Sequence, residues 1–262
     1  MAKRLEGKVA IVTGADSGIG QATAHAFSRE GADVLILFHS DADGAGRTRK
    51  FVEAAGCNAT ICQVDVTDQR AVATLFDDRG SPLGQLGAPD ILVNAAGVGA
   101  DGTPVAETQS EAWDRVIHTN MNGPFYFSRH FIQARKAEGG GGRIINITSV
   151  HEAIPSPNAA AYGASKGGLL TFTRSLALEV ARDKITVNAI APGMIRTPMT
   201  AGRAKDPEKR RQAESRIPLG RIGEPEEIAE LAVYLASPAA DYVTGQSFTI
   251  DGGLELDWGQ GA

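Results

Sequence analysis

The sequence is poor in the features that build several classes of protein. It holds two cysteines, Cys57 and Cys62, in 262 residues. Two are too few for a disulfide scaffold, and no cysteine–histidine cluster has the spacing of a zinc site. Both thiols are expected to be reduced and in the core, and no metal is expected. Aromatics make up 6% of the chain, too few for a platform that stacks single-stranded bases. Positive charge is not in excess: 26 Lys and Arg face 31 Asp and Glu, a net charge of −5. No basic field recruits phosphate backbones, so no nucleic-acid partner is expected. No apolar run approaches the roughly 20 residues of a membrane span. The opening Met1–Lys8 lacks the long apolar core of a signal peptide. No membrane partner is expected, and the location read from the sequence is cytoplasmic.

What is present is an ordinary globular composition, 42% hydrophobic and 22% charged. The 31 glycines follow no three-residue repeat, which excludes a collagen. Short apolar, β-rich runs alternate with longer helical patterns. Strands are expected at 9–13, 34–38, 60–64, 91–93, 143–148, 186–190 and 247–250. Helices are expected at 19–29, 43–55, 69–77, 110–136, 160–181 and 226–236. The strands are apolar on both faces, as in a parallel sheet covered by helices. The alternation predicts an α/β, Rossmann-type doubly wound fold with helices on both faces. No linker-like break interrupts it, so residues 1–262 read as one domain, with Gly139–Gly142 a turn before a strand. The least periodic segment, Gly193–Gly223, reads as a lid.

The first strand runs into Thr13-Gly14-Ala15-Asp16-Ser17-Gly18-Ile19-Gly20 and then a helix. Glycines at such a turn let backbone approach a pyrophosphate, and the helix N-terminus offers free N–H groups. The spacing is G-x-x-x-G-x-G, and its place between strand and helix points to a dinucleotide. No acid stands at the tip of the second strand, where it would repel a 2′-phosphate. His39 and Ser40 stand there instead, with Arg47 in possible reach. The cofactor expected is NADP(H), with NAD(H) possible.

Tyr162 and Lys166 are four apart, so on a helix they share a face. A free tyrosine titrates near 10, and a neighbouring ammonium favours its phenolate. Tyr162 is therefore a candidate general acid/base. Ser149 lies at the carboxyl end of an expected strand, where ligands of open α/β sheets bind. Asn120 interrupts a long helical pattern with a poor helix former, which predicts a local break.

Together these pieces resemble the short-chain dehydrogenase/reductase family over essentially the whole chain. They are Thr13-Gly14 with Gly18-Ile19-Gly20, Asp65-Val66, Asn94-Ala95-Ala96-Gly97, Asn120, Ser149, Tyr162 with Lys166, and Pro192-Gly193. The resemblance implies a seven-stranded parallel sheet, a homotetramer, and Asn120, Ser149, Tyr162 and Lys166 as the catalytic tetrad. It implies that Gly14, Ser17 and Ile19 cradle the pyrophosphate and that Asp65 and Val66 flank the adenine. Asn94, Ala95, Ala96 and Gly97 would line the adenosine side, with Ile195 and Thr197 at the carboxamide. Ala95 departs from the pattern, which usually has a second Asn. The mechanism implied is reversible hydride transfer. Ser149 holds the substrate oxygen, Tyr162 exchanges its proton, and Lys166 lowers Tyr162 and binds the nicotinamide ribose. Asn120 holds a water linking Lys166 to solvent.

The substrate is harder to read. His151 and Glu152 follow Ser149 and are expected to meet sugar hydroxyls. The stretches 149–155, 162–168 and 223–228 resemble the glucose 1-dehydrogenase branch. A sugar or polyol dehydrogenase is the first expectation, and an NADPH-dependent reductase of ketones or 3-oxoacyl thioesters the alternative. A non-catalytic NADP(H) sensor is disfavoured by the intact tetrad. The lid's Arg196, Arg203, Lys205, Lys209, Arg210, Arg211 and Arg216 read as a solvated face or as a welcome for an anionic substrate. The helices at 110–136 and 160–181 are the candidate oligomer faces.

Overall fold

A computed structural model describes residues 3–77 and 80–257. The ends of the expected 1–262 domain, residues 1–2 and 258–262, lie outside the described residues. Seven strands form one parallel sheet in the order β3-β2-β1-β4-β5-β6-β7. They are β1 (Val9–Thr13), β2 (Asp33–Phe38), β3 (Ala59–Gln63), β4 (Ile91–Asn94), β5 (Gly142–Ile147), β6 (Ile185–Pro192) and β7 (Ser247–Ile250). The central strands β1, β4 and β6 are buried at every position. That is the outcome their continuous apolar runs predict when helices cover both faces.

The helices are α1 (Gly18–Arg29), α2 (Ala42–Ala54), α3 (Gln69–Asp77), α4 (Ser110–Ile117), α5 (Gly123–Ala137), α6 (Ala160–Val180), α7 (Ala201–Ala204), α8 (Pro207–Glu214), α9 (Pro225–Ala236) and α10 (Leu254–Asp257); α1, α2 and α9 pack on one face of the sheet and α3, α5 and α6 on the other. One core layer joins Phe27 of α1 and Val52 of α2 to Val233 and Ile228 of α9, over Val12, Ile36 and Val93. The other joins Phe127 and Phe131 of α5 to Leu176 of α6 and Val72 of α3, over Ile11, Leu35 and Ile144.

Strand order reverses between β1 and β4, so a crevice opens beyond their carboxyl ends. The expected helix 110–136 is divided. Residues His118–Asn122 form a π-helical turn between α4 and α5, the local break that Asn120 predicts. The segment 193–223 is less irregular than expected, because it contains α7 and α8. Asp206 caps α8 by accepting from the backbone N–H groups of Glu208 and Lys209 at 3.0 and 3.2 Å, and Pro207 begins it. Cys57 and Cys62 are free thiols, half-buried rather than in the core. Among the described residues no helix is long and apolar enough to cross a membrane.

Candidate active site

A cleft of about 770 Å³ opens along the carboxyl ends of the strands. It is built from the turns that leave β1, β4, β5 and β6.

The β1 turn depends on two glycines. Gly14 has φ +62°, and a Cβ there would lie 2.9 Å from the Ala96 Cα. A Cβ on Gly20 would overlap the Gly14 carbonyl oxygen. Removing both side chains lets the turn from β1, the start of α1 and the turn from β4 touch through backbone. Thr13 ties the turns together: its hydroxyl accepts from the backbone N–H groups of Ala95 and Ala96 at 3.0 and 2.9 Å. Ser17 caps α1 in extended backbone without a side-chain hydrogen bond to the helix. The first amides of α1 therefore face the cleft with no partner from the helix. This cradle fits the pyrophosphate of a dinucleotide, since it offers free N–H groups, a positive dipole end and no Cβ in the way. Gly14, Ser17, Gly18, Ile19 and Gly20 would hold that group.

Of the residues expected to bind a dinucleotide, His39, Asp65, Val66, Ala95, Ala96, Gly97, Tyr162, Lys166, Pro192, Gly193, Ile195 and Thr197 also line the cleft. Ser40 does not, because β2 ends at Phe38 and only His39 reaches the rim. Asn94 does not either. Its side chain is buried and donates to Asn146 Oδ1 at 2.8 Å, and Asn146 donates to Thr173 at 2.9 Å. Asn94 thus braces β4 against β5 and α6. Arg47 is held by Asp41 at 3.5 Å. Asp16 lines the rim, a residue the motif pattern passed over. Burial pushes its carboxyl up, and Asp41 adds to the rise. Burial also disfavours the Asp65 carboxylate, but hydrogen bonds from Thr67 and the nearby His39 hold it below the ordinary range.

At the other end Ser149, Tyr162 and Lys166 converge. Ser149 follows β5 in extended backbone, and its hydroxyl reaches that of Tyr162. Tyr162 and Lys166 share one face of α6, with Nζ 5.6 Å from the tyrosine ring centre. Lys166 is buried and donates to the Ile147 carbonyl at 2.8 Å. Burial brings it down to about 8, against the opposing pull of the Glu152 charge. Burial moves Tyr162 the other way: its phenol is raised, and the Ser149 hydrogen bond recovers part of the rise. The lowering by Lys166 expected from the sequence is not among the influences on Tyr162 in the protein alone; burial is the largest, and the Ser149 hydrogen bond the counteracting one.

Asn120 is fully buried, and its carboxamide is occupied. Oδ1 accepts from Val98 N at 2.9 Å, and Nδ2 donates to Val98 O and to Ser165 Oγ, each at 3.0 Å. Ser165 donates in turn to the Tyr162 carbonyl at 2.7 Å. The side chain therefore clamps the β4 turn to α6, with both N–H groups spent on protein. With both N–H groups used, a bridging water would reach Asn120 by donating to one of its carbonyl oxygens.

The matching family model carries the description enoyl-(acyl carrier protein) reductase and spans residues 14–255. The chain is 42% identical to 3β-hydroxysteroid dehydrogenase 1 of Eggerthella lenta over 98% of either chain. It is 37% identical to glucose 1-dehydrogenase 2 of Bacillus subtilis, again over 98% of both. The chain belongs to the short-chain dehydrogenase/reductase family. Among solved structures, this dehydrogenase/reductase is similar to the gluconate 5-dehydrogenase of Burkholderia cenocepacia in complex with NADP and tartrate. The TM-score is 0.89 and the identity 30%, with 97% of this chain and 98% of that one covered.

Neither His151 nor Glu152 lines the cleft of this family member. The short turn Val150–Glu152 directs His151 Nδ1 to the Ile154 carbonyl at 3.0 Å. It directs Glu152 Oε1 to the Ser247 hydroxyl at 2.6 Å. The sugar-binding role expected of them therefore has no geometric support. Arg115, His118 and Met199 line the cleft instead. Arg115 and His118 are three apart, one helical face just before Asn120, and that spacing was the available signal.

Proposed function

We propose that the chain moves a hydride between NAD(P) and the CH–OH or C=O group of a sugar or polyol. One observation carries the reading: Ser149, Tyr162 and Lys166 meet at one end of a cleft whose other end is the glycine cradle. Bound nicotinamide supplies or accepts the hydride, and the protein supplies position and protons. Ser149 holds the substrate oxygen. Tyr162 takes or returns the hydroxyl proton. Lys166, beside the tyrosine ring, offers positive charge to the phenolate. Asn120 positions α6 through Ser165. The sugar or polyol class draws support from the glucose dehydrogenase and gluconate dehydrogenase relatives. NADP(H) is favoured and NAD(H) accepted, supported by the NADP bound in the Burkholderia structure.

The test is the near-ultraviolet absorbance of reduced nicotinamide, read with both cofactors against aldoses, polyols, ketones and a 3-oxoacyl thioester. Aldose or polyol oxidation is expected. Tyr162→Phe should leave dinucleotide binding intact and cut turnover at least about 10²-fold; retained turnover would remove Tyr162 from its role.

The alternative, reduction of a 3-oxoacyl thioester on an anionic carrier, has one observation in its favour. Among the described residues Arg203, Lys205, Arg211 and Arg216 of the lid make no ion pair, whereas Arg196, Lys209 and Arg210 pair with Glu224, Asp206 and Glu214. Neutralising Arg211 would then weaken the carrier substrate and spare a neutral sugar. The whole of residues 1–262 is proposed to act as one domain in a cytoplasmic homotetramer. Free thiols suit a reducing compartment, and the exposed Phe125 of α5 and Leu178 of α6 offer apolar surface to a second copy. A monomer in light scattering would overturn the tetramer.

A further inference from the structure

One charged residue that lines the cleft has no part in the proposed chemistry. Among the described residues Arg115 of α4 is the only arginine of the lining. Its Nη2 donates to Asp101 Oδ1 at 2.6 Å, and Asp101 is its only hydrogen-bond or ion-pair partner among the described residues. The guanidinium keeps its other N–H groups, and the side chain is half-exposed. An exposed ion pair of this kind contributes little to stability, so it does not by itself explain an arginine on the cleft wall.

Strand order decides which part of a dinucleotide lies near Arg115. The glycine cradle follows β1, and Ser149 follows β5 and meets Tyr162. A dinucleotide with its pyrophosphate on the cradle and its reacting ring at Tyr162 must extend its adenosine the other way. That direction leads over β2 and β3, where His39, Asp65, Val66 and Thr67 line the cleft. Arg115, Thr119 and Gly123 follow at intervals of four along the run from α4 through the π-helical turn into α5, so they share a face. Arg115 and Thr119 line the cleft, and a Cβ on Gly123 would lie 3.0 Å from the Val66 side chain. That face therefore abuts the turn after β3. The stripe made by Ala112, Trp113 and Val116 turns elsewhere, to a small hollow against Ala160 and Ala161 at the start of α6, the helix that carries Tyr162.

We propose that Arg115 is a dinucleotide-binding residue: its guanidinium, steadied by Asp101, caps the adenosine end of the cleft and stacks on the adenine ring. A guanidinium is planar and weakly hydrated, and its flat side stacks on aromatic rings while its edge keeps an ion pair. The pair with Asp101 occupies one edge and leaves the plane free. It also ties α4 to the loop after β4, whose Val98 is clamped by Asn120. The inference rests on the dinucleotide reading of the cleft and adds to it a contact outside the glycine turn.

ADP-ribose is the probe, because it carries adenine and pyrophosphate without a reacting ring. Calorimetry reads its binding with no need of turnover. Arg115→Met keeps an apolar stem and should weaken ADP-ribose about tenfold. In steady-state kinetics the loss should appear in the KM of the dinucleotide and not in kcat. Arg115→Lys keeps the charge without the plane and should stay at least about threefold weaker than wild type. Asp101→Asn removes the ion pair but leaves the guanidinium, and should cost less than Arg115→Met. Unchanged affinity in Arg115→Met overturns the inference. So does full recovery in Arg115→Lys, which would assign the effect to charge, or an equal loss in Asp101→Asn, which would assign it to the loop. A loss confined to the KM of an anionic substrate would place Arg115 at the substrate and overturn it as well. Wild-type protein with no affinity for ADP-ribose would overturn the dinucleotide reading itself, and the inference with it.

Discussion

Lys166 should leave a signature in the pH dependence of stability. Its ammonium is buried, and burial brings it down from an ordinary 10.5 to about 8. The folded state therefore binds the lysine proton less tightly than the unfolded chain. Between these two values the unfolded chain holds more protons, so stability rises with pH across the window. Below about pH 8 the full penalty applies. A difference of about 2.5 pH units at about 1.4 kcal/mol each is about 3 kcal/mol. Integrated from about pH 7 to about pH 9.5, the wild-type chain regains about 2 kcal/mol of it. Lys166→Met lacks the titrating group, and its other losses, such as the hydrogen bond to the Ile147 carbonyl, do not depend on pH. Urea denaturation of both proteins at three pH values isolates the term. Stability of the wild type minus that of the variant should grow by about 2 kcal/mol over that range. A difference that is flat with pH, or that shrinks, would refute the claim that Lys166 is held below its ordinary range by burial.

Other perturbations separate the two ends of the cleft. Gly20→Ala places a Cβ on the Gly14 carbonyl oxygen; it should cost about 2–3 kcal/mol in urea denaturation and abolish dinucleotide binding, and unchanged binding by calorimetry would remove the turn from the cradle. Thr13→Val keeps the shape but strips the acceptor from the Ala95 and Ala96 amides. It should cost about 2 kcal/mol and speed hydrogen exchange at those two amides, and unaltered exchange would show that the hydroxyl does not brace the β4 turn.

Much of the framework was legible because apolar strands and their turns are local. β1 and β7 begin and end where the pattern places them, and the break at Asn120 follows from one poor helix former in a long helical run. Helix α8 was not legible, because Pro207–Glu214 is almost wholly polar and shows no apolar period. Only the Asp206-Pro207 pair signals it, through a capping carboxylate and a proline at the first turn. Asn94 was misplaced for a different reason. It stands opposite Asn146 in the β4–β5 register, so its partner is set by strand pairing, which spacing along one chain does not reveal. The same holds for Glu152. A three-residue turn decides whether its carboxylate faces the cleft or the sheet edge, and its partner Ser247 is 95 positions away.

The two ends of the cleft are made differently, and that decides how each can fail. At the cradle the contacts are backbone: Gly14 against Ala96, Gly20 against Gly14, and a threonine hydroxyl accepting two amides. Added side-chain volume there disturbs the path of the chain, so binding and stability should fall together. At the other end the contacts are buried side chains, and burial opposes the chemistry by raising Tyr162 and lowering Lys166. A phenol and an amine pushed in those directions both favour the uncharged form, whereas a proton-exchanging tyrosine beside an ammonium needs charge. The Ser149 hydrogen bond opposes the rise at Tyr162, and the Glu152 charge opposes the fall at Lys166. Removing either should spare the fold and alter the pH at which the site works, a signature that loss of the cradle does not produce.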